Sequence, residues 1–290
     1  MTWLTTGDLE EFGTAAGAFL RSRPAENTVP LAIIETLRAS GPRAYGPADP
    51  VFGWWHAPDG SIAAAFLQTP PHPVLLTRAP AEAVTALADL LAETSLAFPA
   101  VNMCAEAAGL FGAQWSRRRG VTARTSRRTR LYRLADLIPP SPAVAGIARI
   151  AGPPDRELLV SWYSLFWQEI GEARADVRTL VGHRIAAGGM TLWVTGGEAV
   201  SMAGLAGPLA GVARVAPVYT PPGLRRRGYA GAATAAVSQA ALDAGARDVV
   251  LFTDLANPTS NSIYQRLGYR PVHDRVILSL TGWPQRPGGS

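Results

Sequence analysis

The chain has 290 residues, 48% of them hydrophobic and 17% charged, the balance of a globular protein with one large core or two of ordinary size. All 27 of its positive residues are arginine, and a net charge of +5 is too small to argue for nucleic-acid binding. No apolar run reaches the roughly 18 residues that span a bilayer, the single cysteine, Cys104, excludes an internal disulfide framework or a cysteine-rich metal site, and no signal peptide is read at the start, so the expectation is a cytoplasmic protein with no metal, membrane or nucleic-acid partner.

In chain order, apolar residues at helical spacing predict helices over 8–20 and 28–38. A hairpin follows over 52–57 and 61–67, turned at Pro58-Asp59-Gly60. Next come a strand over 74–77, a helix over 81–96, a strand near Ala100, a helix over 105–115 and a strand over 129–134. Eight arginines crowd between Arg117 and Arg133, which reads as a solvated helix end and strand face.

Pro139-Pro140-Ser141-Pro142 cannot continue a helix and marks a break. It divides the chain into 1–138, a linker over 139–152, and 153–290. The second part opens with Leu158, Leu159, Trp162, Tyr163, Phe166 and Ile170 at helical spacing, then a short helix over 177–186. Strands over 191–195 and 199–205 flank Gly196-Gly197, and a third strand covers 212–220. A small-residue helix over 229–244 ends at Gly245, followed by a strand over 249–253, a helix over 258–267 closed by Gly268, and a strand over 272–280. The first part repeats this order of elements, which points to a duplicated unit.

Chemistry concentrates in three places. Between Val215 and Ala230 a strand ends, a loop with Arg225-Arg226-Arg227-Gly228 follows, and a helix begins at small residues. Unpaired N–H groups at the positive end of a helix hold phosphate well, and Gly228 and Ala230 let an anion approach the backbone. Pro217, inside a strand, cannot donate to a ladder and marks an edge or a bulge. Asn257-Pro258 reads as a helix cap and first position, with Tyr264 two turns further along.

Taken together, Arg225-x-x-Gly228-x-Ala230 at a strand-to-helix junction, then Asn257 and Tyr264 before Gly268-Tyr269, resemble the GNAT superfamily of acyl-CoA-dependent N-acetyltransferases over about residues 145 to 280. The resemblance implies a mixed α/β fold with mostly antiparallel sheets flanked by helices, present as two tandem copies. It implies acetyl-CoA as co-substrate and an amine acceptor, either a small molecule or a peptide, in a monomer or homodimer. Val218, Tyr219 and Thr220 would pair with the pantetheine arm. Arg225, Arg226, Arg227, Gly228, Tyr229, Ala230 and Gly231 would hold the pyrophosphate, and Asn257 and Asn261 would contact the cofactor. Tyr264 would protonate the departing thiolate. The equivalent junction of the first part, 75–82, has no glycine and carries Glu82 where an anion would sit. That copy is therefore expected not to bind, as in tandem acetyltransferases of the mycothiol synthase type.

Many family members place a glutamate on the splayed strand, whereas Gly211-Val212-Ala213-Arg214-Val215 carries no carboxylate. Glu169 is the candidate general base, with Glu172 and His183 as further candidates. The competing expectation is a non-catalytic acyl-CoA-binding or scaffold protein.

Overall fold

The computed structural model describes residues 2–94, 98–171 and 176–280. Its first half runs β1 (Trp3–Thr6), α1 (Leu9–Ser22), α2 (Thr28–Ser40), β2 (Val51–His56), β3 (Ile62–Gln68), β4 (Val74–Leu76), α3 (Ala81–Glu93), β5 (Ala100–Cys104), α4 (Ala105–Arg119) and β6 (Ala123–Leu134). The second runs β7 (Ile147–Ile150), α5 (Arg156–Glu169), α6 (Val177–Ala186), β8 (Met190–Thr195), β9 (Glu198–Leu209), β10 (Val212–Tyr219), α7 (Tyr229–Asp243), β11 (Asp248–Asp254), α8 (Pro258–Arg266) and β12 (Tyr269–Leu280). The expected element order is present in both halves. Two four-residue strands, β1 and β7, were not anticipated. Every residue of β7 is exposed, so no alternation of apolar and polar positions announces it. The helix expected over 81–96 ends at Glu93, where the Thr94 N–H caps the Leu90 carbonyl, and 95–97 lie outside the described residues.

By internal contact the chain forms two units, one of residues 1–131, 254–256 and 272–290, the other of 132–253 and 257–271. In the first, strands follow the order β1-β2-β3-β4-β5-β12, with β4 and β5 parallel and their neighbours antiparallel. Asp8 caps α1 by accepting from the N–H groups of Glu10 and Glu11. Helices α3 and α4 close a core that includes Trp55, Phe66, Leu87, Met103, Phe111 and Trp115.

In the second unit the order is β11-β10-β9-β8-β7, and only β10 and β11 run parallel. Neighbouring residues of β9 serve different cores, as the period of a strand requires. Met202 joins Leu159, Trp162, Tyr163 and Val181 of α5 and α6, whereas Ala203 joins Ala233 and Val237 of α7, Tyr264 of α8 and Leu267 just after it.

A fragment starting at residue 143 would lack Tyr132 and Leu134, both core residues of the second unit. It would keep Val276, Leu278 and Leu280, whose buried neighbours belong to the first. Each lost large core side chain costs about 2–5 kcal/mol against a typical total of about 5–15. We expect that fragment to be insoluble or to lack a cooperative melt by circular dichroism. A soluble fragment with a sharp transition would show the first 142 residues to be dispensable for folding.

Candidate active site

Strands β10 and β11 pair only at Val212, Ala213 and Arg214, opposite Asp248, Val249 and Val250. Beyond Arg214 the two part, while β10 continues along β9 to Tyr219. Between Val215 and Val218 the register with β9 slips by a residue, at Pro217. Three side chains then tie this stretch. Arg184 of α6 donates through Nη1 to the Ala216 carbonyl at 3.2 Å and more distantly, at 3.5 Å, to that of Leu205. Ser201 Oγ of β9 donates to the Tyr219 carbonyl at 3.0 Å and meets Thr220 Oγ1 at 2.9 Å. Arg225 Nε donates to the Thr220 carbonyl at 2.8 Å. With Tyr219 turned to β9, the alternation of a strand aims the backbone groups of Val218 and Thr220 toward the side that β11 has left.

The loop after β10 makes a single 3-10 turn at Pro222–Leu224 and then enters α7. Arg226 and Gly228 both take left-handed backbone, with φ of 64° and 85°. The first intrahelical bond is Ala232 N–H to the Gly228 carbonyl, so the N–H groups of Tyr229, Ala230 and Gly231 precede it. A Cβ on Gly228 would come within 2.7 Å of a Val144 methyl. Arg226 and Arg227 are exposed beside this turn. A doubly charged pyrophosphate fits such a cradle: left-handed backbone, free N–H groups, a helix start and flanking guanidinium groups. The start of α7 approaches the second turn of α8, since a Cβ on Gly231 would lie 3.6 Å from Ile263 Cγ2.

On α8 the two asparagines are engaged locally. Asn257 caps the helix by accepting from Ser260 N–H at 3.0 Å. Asn261 donates through Nδ2 to the Asn257 carbonyl at 2.8 Å and accepts from the buried Tyr132 hydroxyl at 3.0 Å. Gln265 also reaches that hydroxyl, at 3.1 Å. Tyr264 is 9% exposed and stands edge-on to Tyr269, ring centroids 6.1 Å apart. Burial pushes its hydroxyl pKa up to about 12, so the group holds its proton throughout the neutral range.

Glu169, at the end of α5, accepts from Arg225 Nη2 at 2.5 Å, and the same guanidinium lies 5.8 Å over the Tyr219 ring. The pair is partly exposed, so its value lies in orientation more than in stability. His183 is exposed on α6, and Glu172 lies outside the described residues. Among the described residues no group of His, Cys, Asp and Glu is arranged to hold a metal, and no helix is long and apolar enough to cross a membrane.

The first unit handles its parallel pair differently. Strands β4 and β5 pair at Val74 and Leu75, opposite Val101 and Asn102, and β4 stops one residue later. There Arg275 of β12, 6% exposed, donates through Nη2 to the carbonyls of Leu76 at 2.9 Å and Asn102 at 3.0 Å. Its Nε donates to Asn102 Oδ1 at 2.8 Å, and Nη1 lies 4.0 Å from Cys104 Sγ. Helix α3 begins after Pro80 with no glycine before it and Glu82 in its first turn.

Sequence reasoning missed Tyr132, Val144, Arg184, Ser201 and Arg275. Each lies far along the chain from the group it serves, and no local spacing marks it.

Residues 156–269 match the acetyltransferase (GNAT) family model. Among solved structures, the chain is similar to a GCN5-related N-acetyltransferase from Sphaerobacter thermophilus, at 18% identity and a TM-score of 0.64, covering 95% of this chain and 94% of that one. It is also similar to a GNAT-family acetyltransferase from Colwellia psychrerythraea, at 11% identity and a TM-score of 0.62, covering 97% and 99%. A tandem GNAT protein from the clavulanic acid biosynthesis pathway aligns at 12% identity and a TM-score of 0.53, covering 98% and 99%. No curated protein matches the chain in a sequence search.

Proposed function

We propose that this chain, a GNAT superfamily protein whose residues 156–269 carry the family's domain, transfers an acyl group, most simply acetyl, from coenzyme A to an amine. The parting of β10 from β11 at the head of the Arg225–Gly231 loop carries the reading, because it joins a strand edge and an anion cradle within one element. The pantetheine arm runs along Val218 and Thr220, and the pyrophosphate sits on the first turn of α7. Asn257 and Asn261, held by their own bonds, fix the shape of the cofactor's flank. The thioester supplies an activated carbonyl, which a neutral amine attacks directly. The Val218 N–H then meets the oxygen as negative charge develops there. Tyr264 donates to the sulfur as the bond to carbon breaks.

Glu169 can take the amine's proton once Arg225 Nη2 turns to another anion, and the cofactor's phosphates are such an anion. The acceptor is a small-molecule or peptide amine, and the site of action is the cytoplasm. A non-catalytic acyl-CoA-binding role draws support from the lack of a carboxylate on β10. Consumption of acetyl-CoA with a panel of amines decides between the two.

In this reading one acetyl-CoA binds per chain, in the second unit. Arg275 already occupies the Leu76 carbonyl at the end of β4, and α3 lacks a glycine cradle. Calorimetry should give a stoichiometry of about one. Two equivalent sites would overturn the assignment of the first unit as a non-binding copy.

A further inference from the structure

The stretch Ala216–Thr220 is short, lacks a strand neighbour on one side and contains a proline that cannot donate. Left to itself such an end frays. Three of its carbonyls nonetheless have side-chain donors from three separate elements: Arg184 of α6 on Ala216, Ser201 of β9 on Tyr219, and Arg225 of the loop on Thr220. Val218 stands in the middle, and because the Tyr219 carbonyl turns to Ser201 of β9, strand alternation puts the Val218 N–H on the open side. Ser201 is fully buried, so its hydroxyl is committed to this task. Arg184 supplies a donor where the register slip at Pro217 disrupts the ladder.

We propose that Arg184 and Ser201, with Arg225 completing the set, are positioning residues that clamp the splayed strand and fix the direction of the Val218 N–H. This rests on the acyltransferase reading above, in which that N–H meets the oxygen of the reacting carbonyl. None of the three needs to touch that carbonyl. They act by removing the strand's freedom before the cofactor arrives, since a donor off by a fraction of an ångström loses much of its effect.

The test uses Ser201→Ala, Arg184→Met and Arg184→Lys in the full chain. Turnover is followed as acetyl-CoA consumption with a working amine, or as slow hydrolysis. Acetyl-CoA affinity is measured by calorimetry, and amide hydrogen exchange over 216–220 is measured without cofactor. Ser201→Ala and Arg184→Met should each lower kcat by about 10- to 100-fold, less than the loss of an oxyanion donor itself, while KM for acetyl-CoA moves less than about 3-fold. Exchange over 216–220 should quicken in both, and Arg184→Lys should recover most of the rate.

Unchanged exchange and unchanged kcat in Ser201→Ala and Arg184→Met would overturn the clamp. So would a fall in affinity as large as the fall in kcat, because that would mean a structural role in holding cofactor. Should Ser201→Ala fail to fold, the half-buried Arg184 pair carries the test. A wild-type protein that binds no acetyl-CoA would instead overturn the acyltransferase reading. The exchange data would still judge the clamp by themselves.

Discussion

Gly228→Val is expected to weaken acetyl-CoA binding by at least about 100-fold, equivalent to about 3 kcal/mol. Two effects act together. Gly228 sits at φ 85°, where a β-branched side chain is strained, and the strain costs on the order of 1–3 kcal/mol unless the turn relaxes. If the turn does relax, the Tyr229, Ala230 and Gly231 N–H groups that precede the first helical bond are re-aimed. If it holds, the new Cβ presses on a Val144 methyl and the side chain adds bulk beside the start of α7. Hydrogen bonds to a charged group are each worth about 1.5–3 kcal/mol, so losing one or two accounts for the magnitude. Gly228→Asn separates the causes, because asparagine tolerates left-handed backbone. It carries the same Cβ contact with Val144, so it should melt between Gly228→Val and wild type and still bind weakly. Calorimetry on both variants, with melts to confirm folding, checks this. Wild-type affinity in a folded Gly228→Val protein would remove the phosphate from this loop.

The legible part of this protein was the part encoded locally. The strand-to-helix junction could be read because its glycine and small residues are contiguous, and the structure has left-handed backbone at Arg226 and Gly228 just where α7 begins. An edge or a bulge could be read from Pro217 alone, since a strand proline has few places to go, and the register with β9 slips between Val215 and Val218. Helices such as α5 and α8 announced themselves, the first through the spacing of its apolar residues and the second through an Asn-Pro cap. What could not be read is what reaches those elements from a distance. Arg184 lies 32 residues from the carbonyl it serves, and Tyr132 lies 129 from Asn261. A lone arginine or tyrosine has no pattern that names its partner. The same holds for Arg275. Strand β12 was foreseen, but an arginine on a strand reads as solvated until its neighbours are known, and this one is buried on backbone carbonyls. Glu169 is the mixed case. It could be picked out as a carboxylate past an aromatic segment, yet its bond to Arg225 changes what it must do before it can serve as a base.

Tyr264→Phe separates binding from chemistry. The substitution leaves the ring, its edge-on contact with Tyr269 and its place in the core, and removes one oxygen. Acetyl-CoA affinity should stay within about 3-fold, while kcat falls by about 10²- to 10⁴-fold, the span for losing a general acid. The pKa narrows that span. A hydroxyl at about 12 gives its proton reluctantly to a thiolate whose thiol titrates near about 8.5. Complete transfer is then unfavourable, so in the proposed reaction Tyr264 would act as a hydrogen-bond donor to the charge growing on sulfur. The loss should therefore lie nearer about 10²-fold. The sign of the pH effect follows from the same burial. Because the folded-state pKa is raised from 10 to about 12, Tyr264 favours the fold below pH 10, and that contribution is lost as the pH rises through about 12. Between about pH 6 and 9 the tyrosine does not titrate, so the rise of rate with pH belongs to the amine losing its proton, and the phenylalanine variant should keep the same ascending limb. Steady-state kinetics across that range, with calorimetry for affinity, reads both features. Wild-type kcat in the folded variant would make Tyr264 a packing residue, and an altered limb would make it the group that governs the amine's proton.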